Sequence, residues 1–70
     1  MKIAVIGAGS WGTAMASQLG LKHDEVVLWA RNLELAQAIQ SSRQNRSYLP
    51  DITLPSSVTC IASLPEALEW

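Results

Sequence analysis

Three glycines, Gly7, Gly9 and Gly12, stand in the spacing G-x-G-x-x-G directly after the apolar run Ile3-Ala4-Val5-Ile6. Glycine carries no reactive group, so the chemistry on offer is that of bare backbone: N–H groups brought close to an anion. In that spacing Gly7 would allow a sharp turn off a strand and Gly9 would let a pyrophosphate approach. Gly12 would let the next helix lie against the sheet. No Asp or Glu occurs from Met1 to His23. The first turn of that helix therefore has no carboxylate to meet its positive dipole end, and the N–H groups near Ser10 and Trp11 are left for an outside anion.

A second group could discriminate between nucleotides. An NAD site usually has Asp or Glu at the end of the second strand, accepting from the adenosine ribose hydroxyls. Here that place reads Trp29-Ala30-Arg31-Asn32. The planar guanidinium of Arg31 suits the 2′-phosphate of NADP and can stack on adenine. The plain alternative is an arginine that faces solvent. The missing carboxylate also disfavours a flavin or an S-adenosylmethionine site.

The elements that must position these groups follow a strand–helix alternation. Residues 3–6 lack polar alternation, as a parallel strand buried on both faces would. Trp11, Met15 and Leu19 recur every four residues along one helical stripe, with Ala16 on a small-residue face. Gly20 suits a left-handed helix cap. Glu25-Val26-Val27-Leu28-Trp29 reads as a second strand. Asn32 suits an N-cap, and Leu35, Ala38, Ile39 and Ser42 phase a second helix over residues 32 to 43, with Arg43 at its negative end. Residues 44 to 57, with Pro50 and Pro55, read as an irregular connection. Val58 to Ile61 forms a third strand. Ser63 and Glu66 match a capping box with Pro65 in the first turn of a third helix. The fold class is α/β: a Rossmann-type parallel sheet, the βαβαβ half with the start of a third helix, and one unit from 1 to 70. Isolated, such a half would leave its first strand at an unprotected edge, so self-association through Val5 and its neighbours is expected.

Composition narrows the class further. Apolar residues make up 49% and charged residues 16%, with a formal net charge of −1. That balance offers no footprint for nucleic acid or an anionic membrane surface. No run approaches a transmembrane span and no secretory signal is present. Seventy residues bury only about 60% of their unfolded surface, and one cysteine cannot form an internal disulfide. The core is expected to continue beyond Trp70. A single cysteine fits a cytoplasmic setting.

Gly-Ala-Gly-Ser-Trp-Gly-Thr-Ala at 7–14, Val-Val-Leu-Trp-Ala-Arg-Asn at 26–32 and Tyr-Leu-Pro at 48–50 together resemble the N-terminus of bacterial NAD(P)-dependent glycerol-3-phosphate dehydrogenase. The glycine motif alone is widely shared; the combination is selective. The resemblance implies reduction of dihydroxyacetone phosphate to sn-glycerol 3-phosphate for phospholipid synthesis, with NADP or NAD as cofactor and NADPH favoured. It implies cofactor contacts at Gly7, Gly9, Ser10, Trp11, Gly12, Arg31 and Tyr48. The family sometimes carries a second basic residue after Arg31, where Asn32 stands here. It also implies that the catalytic lysines and a helical substrate domain lie beyond Trp70, so that residues 1–70 alone are inactive.

Other residues read plainly. Cys60 is a buried structural thiol, and His23, Lys2 and Lys22 are solvated. Trp29 and Trp70 are core or interface anchors. Arg43 and Arg46 are solvated, or a weak second anion contact. Two other functions stay open: a related NADP-dependent reductase or hydroxyacid dehydrogenase, and a non-catalytic dinucleotide sensor. A homo-oligomer also stays open.

Overall fold

The computed structural model describes residues 2–69, apart from the side chain of Pro50. Trp70 lies outside the described residues. Three parallel strands form the main sheet: β1 (Lys2–Ile6), β2 (Glu25–Trp29) and β5 (Val58–Ile61), in the order β1-β2-β5. Lys2 to Ile6 pair with Glu25 to Trp29, and Val26 to Trp29 pair with Val58 to Ile61. Helices α1 (Ser10–Gly20) and α2 (Leu33–Ser42) provide the crossovers, and α3 (Leu64–Glu69) follows β5.

The middle strand is the buried one. Val26, Val27 and Leu28 are completely inaccessible, because β2 has partners on both edges and cover on both faces. Val26, Leu28, Val58 and Cys60 pack with Ala16 of α1 and with Ala36 and Ile39 of α2. Val27 points the opposite way by strand alternation, and α3 packs against all three strands, with Ala67 buried. The sequence assigned two-sided burial to residues 3–6, but only Ile3 and Val5 pack against the core, and Ala4 and Ile6 are exposed. Among the described residues β1 pairs on one side only.

Helix α2 begins as its residues dictate: the Asn32 side chain accepts from Leu35 N at 3.1 Å, and Glu34 occupies the first turn. Its buried side chains are Ala36 and Ile39, so Ala38, which the sequence placed on the buried stripe, is exposed. Ser63 accepts from Glu66 N at 3.4 Å, which gives α3 one half of the expected capping box.

Three expectations need correction. First, Gly20 is not a left-handed cap; α1 is capped by Leu21 at φ −75. Gly20 is small because a Cβ there would meet Val58 Cγ2 at 2.7 Å and Ser57 Oγ at 2.9 Å. Second, residues 44–53 are not irregular. β3 (Gln44–Asn45) and β4 (Leu49–Thr53) form an antiparallel hairpin, and Pro50, lacking an N–H, fits a two-stranded ladder that leaves one edge unpaired. Third, Arg43 is not solvated. It is the left-handed cap of α2 (φ 62), and its guanidinium donates to the carbonyls of Pro55 and Val58 and to Gln40 Oε1.

Candidate functional site

The site is assembled at the carboxyl ends of β1 and β2, where open parallel sheets bind ligands. The ladder runs past both strands: Gly7 N donates to Trp29 O at 3.1 Å and Ala30 N to Ile61 O at 2.9 Å. Gly7 then turns the chain at φ +116, a conformation that suits glycine. Gly9 is the N-cap of α1, with no side-chain cap, and the first helical bond runs from Thr13 N to Gly9 O at 3.0 Å. Among the described residues, the N–H groups of Ser10, Trp11 and Gly12 find no acceptor, and the first turn holds no acidic residue.

A groove of about 900 Å³ lies in front of this turn. Its floor is Gly7, Ala8 and Gly9. Trp29, Arg31 and Asn32 line one side with Glu34, Leu35 and Ala38 of α2, and the hairpin turn closes it with Ser47 and Tyr48. Gly7, Gly9, Arg31 and Tyr48, all marked by the sequence, therefore share one cavity. Ser10 reaches its rim by donating from Oγ to the Tyr48 carbonyl at 2.7 Å. Gly12 lies under the turn, where a Cβ would come within 1.9 Å of Gly7 O.

Trp11 is 76% exposed and does not line the groove. The contact of Gly12 with Gly7 fixes the helix phase, turning Thr13, Ala16 and Ser17 inward and Trp11 outward. Trp29, read as an anchor, is half-buried and donates from Nε1 to Ala62 O at 3.0 Å while bordering the groove.

Sequence reasoning missed Glu34, Ser47 and Asn45. Glu34, in the first turn of α2, lines the groove together with Arg31 and brings a carboxylate to it. Ser47 carries no signal in the sequence and is placed by the hairpin. Asn45 is completely buried behind the glycine turn.

Cys60 takes no part in this site. Burial pushes its thiol from an ordinary value of 9.0 up to about 11, against the opposing pull of Arg43. The folded state thus favours the neutral thiol. This group leaves stability unchanged below pH 9 and weakens it as pH rises toward 11. Iodoacetamide at pH 8 should label Cys60 slowly in the native protein and rapidly in denaturant; equal rates would contradict its burial.

A parallel βαβ sheet whose first crossover opens on a glycine turn with unpaired N–H groups defines a Rossmann-type dinucleotide-binding unit. Residues 2–70 match the family described as NAD-dependent glycerol-3-phosphate dehydrogenase N-terminus, and the chain belongs to that family. It is similar to glycerol-3-phosphate dehydrogenase [NAD(P)+] of Chlorobium chlorochromatii, with 49% identity over 70 residues, 100% of this chain and 21% of the relative. The enzyme of the same name from Halorhodospira halophila is 53% identical over 66 residues, 94% of this chain and 20% of the relative. The crystal structure of glycerol-3-phosphate dehydrogenase from Coxiella burnetii superposes with a TM-score of 0.89 at 37% identity, covering 97% of this chain and 21% of that one. The chain thus spans about a fifth of the length of the curated relatives it matches. Among the described residues no helix is long and apolar enough to cross a membrane.

Proposed function

We propose that this chain is the cofactor-binding part of a cytoplasmic dehydrogenase that interconverts dihydroxyacetone phosphate and sn-glycerol 3-phosphate, a phospholipid precursor. Both nucleotides serve it, with NADPH favoured. The observation that carries the reading is Gly9. Its φ of −78 is ordinary and a Cβ there would meet nothing within 4 Å, so the protein itself has no need of glycine. Gly9 lines the groove, beside the unpaired N–H groups that a pyrophosphate would take.

Gly7, Gly9, Ser10, Trp11 and Gly12 form the pyrophosphate end of the site, the last three through backbone N–H groups or packing. Arg31 binds the 2′-phosphate of NADPH, and Tyr48 walls the opposite side. Glu34 offers an acceptor for the ribose hydroxyls when that phosphate is missing, consistent with the [NAD(P)+] in the relatives' names. A nicotinamide nucleotide bound there would supply the hydride for reduction of the ketone, and the accompanying proton would have to come from a protein group or solvent. The groups that hold the substrate and deliver that proton belong to the remainder of the full-length enzyme, and no residue of this chain is assigned a catalytic part.

The test is oxidation of NADPH, and separately NADH, by the full-length protein with dihydroxyacetone phosphate as acceptor. Turnover supports the reading. Nucleotide binding without turnover overturns the substrate and leaves the related reductases or a sensor.

A further inference from the structure

Asn45 sits on the short strand β3, far from the glycine turn in sequence, yet its side chain is completely buried against that turn. Its Nδ2 donates at 2.8 Å to the Ala8 carbonyl and at 2.8 Å to Thr13 Oγ1. The Ala8 carbonyl can only accept, so the nitrogen end of the amide must face it. Asn45 Oδ1 is buried with no partner. Such an orphaned acceptor costs stability. A residue that kept only packing would avoid that cost, which points to a task for the amide nitrogen.

Peptide geometry supplies the task. In a trans peptide the C=O and the following N–H point in opposite directions. Anchoring the Ala8 carbonyl inward on Asn45 therefore turns the Gly9 N–H outward, at a residue that lines the groove. That N–H has no acceptor among the described residues. The second bond, to Thr13, ties the same amide to α1 one turn in, so a single side chain sets the turn against the helix. The hairpin does not depend on this contact alone, because Ser10 Oγ also holds the Tyr48 carbonyl.

We propose that Asn45 is a positioning residue for nucleotide binding: it holds the Ala8–Gly9 peptide in the one orientation that presents the Gly9 N–H to a phosphate at the start of α1. This rests on the nucleotide reading of the groove.

The test uses the full-length protein, wild type and Asn45→Asp, titrated with ADP, NADPH, NADH and adenosine. Asp keeps the size of Asn but, ionised, repels the Ala8 carbonyl and attracts the Gly9 N–H, favouring a flipped peptide. ADP, NADPH and NADH should each weaken by about tenfold or more, as expected for a lost charge-assisted bond, while adenosine, which has no phosphate, changes little. Equal ADP affinity in both proteins overturns the proposal, as does an equal loss for ADP and adenosine, which would mark a general structural defect. Failure of the wild type to bind ADP overturns the nucleotide reading itself, and the role built on it. Should the variant not fold, the wild type decides: Gly9 amide exchange should be fast in the free protein and slowed by ADP, and exchange unaffected by ADP counts against the proposal.

Discussion

Gly12→Ala in the full-length protein is expected to cost about 3 kcal/mol, at the upper end of ordinary overpacking. A Cβ at this position would lie 1.9 Å from Gly7 O and 3.1 Å from its carbonyl carbon. Both are backbone atoms, so no side-chain rotation relieves the clash. Either α1 lifts off the sheet or the Gly7 turn moves, and the groove floor moves with it. The urea midpoint should fall and nucleotide affinity should fall together with it. Gly9→Ala is the informative contrast. With free space and φ −78 it should leave the midpoint nearly unchanged and weaken nucleotide binding alone. An unchanged midpoint for Gly12→Ala would mean that the helix does not rest on the turn.

Arg31→Asp is expected to separate the two nucleotides. Arg31 is exposed at the groove edge, and among the described residues no ion pair engages it. Its side chain is therefore available to a ligand phosphate without first breaking an internal contact. Replacing a bidentate cation with a carboxylate should weaken NADPH more than NADH by about 1–3 kcal/mol, a change in the ratio of dissociation constants of about 5- to 150-fold. Direct titration of both nucleotides into wild type and variant measures it. Equal losses would remove the 2′-phosphate role from Arg31.

Features written in neighbouring residues were legible in the sequence. The bounds of β2 and β5 follow from short β-branched and apolar runs, and the start of α2 follows from an Asn32 cap whose partner is three residues away. Gly7, Gly9 and Arg31 converge because parallel strands bring their carboxyl ends to one edge, so a pattern about twenty residues long carries that much of the site. The hairpin was not legible. Its contacts with the glycine turn, Asn45 to Ala8 and Ser10 to Tyr48, join residues 37 and 38 apart in sequence. No local periodicity records such a pairing, and an Asn between Gln44 and Arg46 reads only as a turn former. The outward direction of Trp11 has a related origin: a spacing of four fits several helix phases, and the close approach of Gly12 to Gly7 selects one of them.

The excursion between α2 and β5 leaves from Arg43 and returns to it. Leu54 N donates to the Arg43 carbonyl at 2.7 Å, and the guanidinium of the same residue holds the carbonyls of Pro55 and Val58. In polymer terms this is a ring closed at its neck by one residue, with Tyr48 near the far end of the circumference. Lengthening such a ring costs little, since closure entropy grows only with the logarithm of its size. Residues added at 46–48 would therefore reshape the wall facing the nucleotide without transmitting strain to β5. The fold thus provides a place where the depth of the groove can vary between relatives while the sheet beneath it stays in register.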